Sequence, residues 1–415
     1  MLPKAGLLTL LMTIPALAAG GPAIPPTPLP APTGTVVNVS TVSQLQNAVA
    51  AITSNTTIVV APGTYALTGT LYINGSFTNV GIRGATSNRD DVVLVGKGMH
   101  AASDGGVPFG IWVGGNVNGV TIANLTIRDV YYHPIMLNAG AQSPRIHNVR
   151  LVNAGQQFIK ASPDGSGGGV DDGIVEYSIM EYDTTARDDY TNGVDVHTGD
   201  NWIIRHSLFR NIRAPGGALA GPAILMWNAS TNTIVDGNTF IDCQREIALG
   251  LIERTPNDHA GGVIKNNFIS RTIAGDSAIY VADSPNTQVL HNSIFISGTY
   301  ANPIEYRFAH STGVVIANNI LDGTIAARDG ASGSVSDNYT TASAALFVNP
   351  AAGDMHLKAT ATAVLNKIAS PPGLAATDWD GHSRPAGSSD IGADEYSTAT
   401  IPTVPSTPQN LRILR

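Results

Sequence analysis

The chain has 415 residues, of which only 13% are charged, and it carries a net charge of −8. That acidic balance repels polyanions, which excludes nucleic acid as a partner and means that an acidic glycan would need a local basic patch. The single cysteine, Cys243, excludes an intramolecular disulfide, and 43% hydrophobic content with 6% aromatics suits a long, thin core of Ile, Val, Leu and Ala.

Residues 1–19 have the features of a secretory leader. Lys4 precedes an apolar run through Leu7, Leu8, Leu10, Leu11 and Ile14, and Ala16-Leu17-Ala18 forms a small-residue cleavage site. The run is shorter than the roughly 20 residues that span a bilayer, so a secreted protein (extracellular or periplasmic) without a membrane partner is expected. Residues 20–34 are Pro-rich and predict an extended linker, residues 35–396 form the main domain, and the Thr/Pro-rich residues 397–415 form a tail.

The domain opens with a short amphipathic helix over Val42–Ile52. Leu45, Ala48, Val49 and Ile52 have helical spacing, and Ser43 is the expected N-cap. A helix there can plug the open end of a solenoid and cover its first unpaired strand. A unit then recurs, with an apolar pair, one or two polar residues, Asn or Ser, and a second apolar pair, as in Ile234-Val235-Asp236-Gly237-Asn238 and Val263-Ile264-Lys265-Asn266-Asn267. The marker positions Asn124, Asn148, Ser178, Ser207, Asn238, Asn267, Asn292 and Asn319 are separated by 24, 30, 29, 31, 29, 25 and 27 residues. Such a unit cannot bury its own apolar face, so consecutive coils must stack. The expected fold is all-β, a right-handed parallel β-helix solenoid of about nine to ten coils with an N-terminal helical cap. The recurring Asn is expected to turn a corner in left-handed backbone and to bond to the Asn of the next coil.

One strand per coil should line a groove, with the outward residues of adjacent coils about 4.8 Å apart. The expected groove strands are 133–138, 156–162, 192–197, 223–228, 246–251, 278–283 and 303–308. In Gly193-Val194-Asp195-Val196-His197, alternation sends Asp195 and His197 to the side opposite the two valines. Lys160 lies one repeat earlier, in an apolar-rich stretch whose desolvation would lower its pKa toward that of a general base. Gln157, Asn192, Trp227 and Asn228 are candidate sugar contacts on the same three coils. The basic strip Arg205, His206, Arg210 and Arg213, with Arg245 one coil further, offers forks for carboxylate or sulfate. Asp-rich loops at 164–172 and 183–190 would suit calcium, although neither has a defined ligand spacing.

Gln44-Leu45-Gln46, Ala61-Pro62-Gly63-Thr64-Tyr65 and Ile82-Arg83-Gly84-Ala85, together with the ending Asp390-Ile391-Gly392-Ala393-Asp394-Glu395, resemble the pectate-lyase-like β-helix superfamily over roughly residues 35–396. Asn192-Gly193-Val194-Asp195-Val196-His197 resembles the Asp-Pro-His signature of mannuronan C5-epimerases, with Val196 in place of proline and Asn192 in place of a tyrosine. Lys160 lies where that family has a catalytic lysine. It also matches the lysine base of alginate lyases and chondroitinase B, although His197 stands where those enzymes have an arginine. Polygalacturonase motifs are absent, and no second carboxylate is placed for hydrolysis. The resemblance implies a monomeric enzyme that cleaves an acidic, uronate-containing polysaccharide by β-elimination. Lys160 would be the base, His197 the proton donor and Asp195 its orienting partner, with Arg205 or Arg245 on the uronate carboxylate. A C5-epimerase and a non-catalytic carbohydrate-binding protein are the alternatives.

Overall fold

The computed structural model describes residues 24–369 and 373–397; the leader at 1–19 and all of the tail but Ser397 lie outside them. Ten strands stack in parallel into one sheet: Leu71–Gly75, Phe109–Gly115, His133–Asn138, Ile159–Ser162, Val194–His197, Ile224–Trp227, Ile247–Leu249, Ile279–Ala282, Ile304–Arg307 and Ile325–Arg328. The seven expected groove strands are all among them, and the solenoid extends two coils before and one after. The rest of each coil belongs to a 20-stranded, likewise stacked sheet that folds round a corner. The fold is the right-handed parallel β-helix. No helix among the described residues is long and apolar enough to cross a membrane.

The apolar repeat builds the core directly. Ile204, Val235, Ile264, Val289 and Ile316 are partners in successive strands, and all are fully buried. Each such stacked side chain contributes about 1.5–3 kcal/mol of burial. At the corner, Asn238 donates to Asn267 Oδ1 (3.1 Å), Asn267 to Asn292 (2.9 Å), Asn292 to Asn319 (2.9 Å) and Asn319 to Asn338 (2.8 Å). The turn and the ladder are nonetheless divided between two residues. The left-handed backbone falls on Gly237, Asn266, His291 and Asn318, one place ahead of each ladder asparagine. At Asn124 and Asn148 one residue does both. The turning residue reverses the chain, and its successor can then point inward to the next coil.

The N-terminal helix spans Val42–Ala50 and is capped by Thr41, whose Oγ1 accepts from the Gln44 amide (3.2 Å), and not by Ser43. Leu45 and Val49 seal the first coil. At the other end, the hairpin Phe347–Asn349/Asp354–Leu357 and residues 378–396 fold back along the flank of the coils. Gly392 donates to the Asn318 carbonyl (2.8 Å), Ala393 to Ser293 Oγ (2.9 Å) and Arg384 to Asn266 Oδ1 (3.1 Å), while Trp379 stacks on Phe268. The described part of the Pro-rich segment, 24–34, lies along the same side. Ile24 packs on the C-terminal apolar cluster, Thr27 meets the Tyr177 hydroxyl (3.4 Å), and the Pro30 carbonyl accepts from Arg83 (2.9 Å). It is a strap and not a free spacer.

Replacing Asn292 with Ala removes bonds to both neighbouring rungs and the bond to the Ile264 carbonyl. The expected loss is about 1–3 kcal/mol in denaturant unfolding. A second expectation concerns pH. Burial raises the Asp394 and Glu395 carboxyls to about 7, while hydrogen bonds to Asp354 and Asp380 outweigh burial and hold His356 up at about 10. A raised carboxyl pKa stabilises the fold below the ordinary carboxyl range, and that contribution is lost as pH climbs through about 7. The His356 contribution is full below about pH 6.5 and is lost progressively as pH rises to about 10. Thermal midpoints should therefore fall as pH rises from about 4 to about 7, and Asp394→Asn should flatten that slope.

Candidate functional site

Strand register brings the candidate residues together. Lys160 pairs with Asp195 across adjacent coils, and His197 pairs with Trp227 on the next. Val194 and Val196 are fully buried, which turns Asp195 and His197 outward. Close stacking is possible there because position 193 is glycine: a Cβ would lie 2.3 Å from the Ala223 carbonyl oxygen.

The Lys160 ammonium donates to Asp195 Oδ2 at 2.6 Å and lies 2.7 Å from His197 Nε2. His197 Nε2 is 3.4 Å from Asp195 Oδ1, which also accepts from the Trp227 indole (3.0 Å). The Trp227 ring lies edge-on to the imidazole, with centroids 4.5 Å apart. Side-chain exposure falls from 20% at His197 to 9% at Lys160 and 2% at Asp195, so the anion forms the floor and the proton-carrying groups face the groove. Burial alone would raise the Asp195 pKa, but the adjoining His197 and the Lys160 ammonium outweigh it and hold the carboxyl below its usual range. A lysine that donates to both neighbours leaves Nε2 of His197 as an acceptor, with the ring proton on Nδ1.

The other sequence candidates lie elsewhere. Gln157 and Asn192 are buried and bond to each other (3.4 Å) beneath the corner, and Asn192 also donates to the Pro222 carbonyl (3.2 Å). Asn228 shapes the turn after the strand, with φ +58° and a bond to Thr198 Oγ1 (3.2 Å). Arg205 lies in the 20-stranded sheet, where it grips Glu176 (2.9 Å) opposite Arg145; Arg210 is likewise paired with Glu181. Arg205 and Arg210 thus belong to cross-coil charge ladders of the other sheet and not to the groove, while Arg213 bonds to Asn211 of its own loop and His206 stacks on Tyr177. Arg245 does reach the groove face, but it lies in a cavity further along.

Three residues near the cluster are ones that sequence reasoning did not choose. His133 lies upstream, stacked on Phe109, and its pKa is lowered to about 4, first by burial and then by Lys160 and Arg187. Arg187 leans back from its loop onto Tyr131, with the guanidinium 4.6 Å from the ring and bonded to the Tyr131 carbonyl (2.6 Å). Arg254 sits 5.6 Å from the Trp227 ring centroid on the downstream side, anchored by Asp258 (2.6 Å). The only available signal was a lone Arg in each long loop; the reach of a loop across coils is not encoded in strand alternation.

The Asp-rich loop does not fit a calcium site. Asp164 Oδ1 accepts from Ser166 and Gly168 of its own loop, and Asp171 caps the Asp200 amide. Among the described residues, His/Asp groups close enough to share an ion occur in the C-terminal flank and not in the groove.

No protein-family model matches the chain, and no curated protein matches it. Among solved structures, the alginate lyase from Paenibacillus sp. str. FPU-7 aligns over 74% of this chain and 95% of its own, with 18% identity and a TM-score of 0.50. The pectate lyase Pel9A aligns over 88% and 97%, with 13% identity and a TM-score of 0.52. The tailspike protein of an E. coli bacteriophage, solved with a pentasaccharide, aligns over 74% of this chain and 59% of its own, with 13% identity and a TM-score of 0.50.

Asp195→Asn keeps the shape of the floor but leaves the Lys160 ammonium nearly buried without its anion. The expected cost is about 3 kcal/mol in chemical denaturation. A loss under ~1 kcal/mol would mean that the ammonium is solvated like a surface ion pair.

Proposed function

We propose, for a chain with the pectate-lyase-like right-handed parallel β-helix fold, that its groove cleaves a uronate-containing polysaccharide by β-elimination and that the protein acts outside the cell. The observation that carries this reading is the 2.7 Å contact between Lys160 Nζ and His197 Nε2 above a shared buried carboxylate. Elimination needs one group to take the proton α to the uronate carboxylate and another to return a proton to the departing glycosidic oxygen. The electron pair of the broken C–H bond becomes the new double bond as the C–O bond at the β carbon breaks.

The hydrogen bonding favours a role assignment opposite to the one expected from sequence. The Lys160 ammonium donates to Asp195 and points at His197 Nε2, so His197 Nε2 is the proton acceptor and the Lys160 ammonium is the donor to the leaving oxygen. Asp195 fixes the Lys160 ammonium beside the imidazole. The α proton must also be acidified by neutralising the carboxylate beside it. Arg254, which flanks Trp227, and Arg187 on the upstream wall are the basic groups next to the cluster; Arg205 and Arg245 lie away from it. Trp227 offers an indole face to the sugar ring.

Incubating the protein with alginate, pectate, chondroitin and ulvan should generate the ultraviolet absorbance of an unsaturated uronate from one of them. Lys160→Ala and His197→Ala should each lower that rate at least about a hundredfold while circular dichroism stays native. Product without absorbance, but with inverted C5 signals in proton NMR, would assign the same residues to epimerisation; full activity in Lys160→Ala would end the proposal.

A further inference from the structure

Beyond the Lys160 cluster the groove continues, and its chemistry changes. The outward file Lys160, Asp195, Leu225, Ala248, Tyr280, Glu305 runs in register up six coils. Tyr280 and Glu305 are part of the lining of a cavity of about 320 Å³, together with Arg245, Asp276, Tyr300 and Arg328. By the strand spacing, Tyr280 is about 14 Å along the groove from Asp195 and about 19 Å from Lys160.

Most of the polar groups in this cavity are already paired. Glu305 accepts from Tyr300 (3.0 Å), Asn302 (3.0 Å) and Arg328 (3.1 Å), and Arg307 pairs with Asp329. Arg245 differs: its Nε donates to the Ala220 carbonyl (2.8 Å), another nitrogen lies 3.5 Å from the Leu219 carbonyl, and among the described residues it forms no ion pair. Burial works against its charge, with longer-range help from Asp276 and Tyr280. A half-buried guanidinium held by two backbone carbonyls presents the remaining donors of its fork to the cavity, and that geometry suits a planar or tetrahedral oxyanion.

We propose that this cavity is a distal subsite for the anionic group, carboxylate or sulfate, of a sugar unit several residues along the polymer from the reacting one. The inference rests on the polysaccharide reading of the same groove and adds what the far end recognises. A chain long enough to span from Lys160 to Arg245 gains a charged contact that a short oligomer cannot reach. Long substrates then bind more tightly, and cleavage falls within the chain.

The test is calorimetric binding of trimers and octamers prepared from alginate and from polygalacturonate. It uses the Lys160→Arg protein, which keeps a cation against Asp195 while stopping turnover. One of the octamers should bind more tightly than its trimer. Arg245→Gln, which retains a donor for the Ala220 carbonyl, should weaken that octamer about tenfold and leave the trimer unchanged. The loss should vanish at high salt. Asp276→Asn, which removes an unpaired carboxylate from the same cavity, should tighten the octamer about threefold, so the idea does not hang on one variant's folding. Equal effects on trimer and octamer, or no effect of either variant, overturn the subsite. A wild-type protein that binds an octamer in this pattern but yields no product defeats the lyase reading and leaves the subsite standing.

Discussion

Everything in this molecule depends on in-register stacking of coils that cannot fold alone. A single turn has one or two Ile or Val side chains facing inward and no partner for its strand edges, so both needs are met only by the turns above and below. Register must then hold along the whole stack, because a slip of one residue would turn each inward side chain to solvent. The asparagine ladder helps to enforce it. Each rung accepts from one neighbour and donates to the other, so a slipped coil would leave buried amides unpaired. The same constraint builds the site, since Lys160 meets Asp195 only because Ile159 sits beneath Val194.

The cluster is a place where stability and chemistry are drawn from one arrangement. A nearly buried ammonium and a buried carboxylate both lose hydration, and each is tolerable only because the other is 2.6 Å away. The Trp227 indole supplies the carboxylate with a second donor from the next coil. The proton positions are thus set by a fixed scaffold before any ligand arrives, which is the condition for effective proton transfer and charge stabilisation. The glycine at 193 and the flat valines at 194 and 196 let two coils approach closely enough for this.

The parts legible in the sequence were those governed by local periodicity. Alternation in Val194–His197 located Asp195 and His197, and the repeat length placed Lys160 one coil earlier; the structure brings all three together. Periodicity states that a residue faces outward without saying on which side of the coil. Arg205 follows the same pattern as a groove residue, yet its strand belongs to the other sheet, where Glu176 occupies its guanidinium. Gln157 and Asn192 failed for a related reason: at a corner, side chains beside a strand turn inward to satisfy backbone groups, as the Asn192 bond to the Pro222 carbonyl illustrates. Arg187, Arg254 and His133 were missed because loops and strand ends act across coils, over distances that no short motif records.

The Pro-rich strap changes how the molecule behaves as a one-dimensional stack. In a plain solenoid, free energy is shared between nearest neighbours, and a terminal coil can peel away without disturbing the far end. Here the chain ahead of the first coil runs back past Arg83 and Tyr177 to the apolar cluster under Trp379, the same cluster that clasps the later coils. Opening the first coil pulls on contacts made seven coils later. The two ends are mechanically coupled into a closed loop, and fraying, ordinarily a local and graded event, becomes a cooperative one.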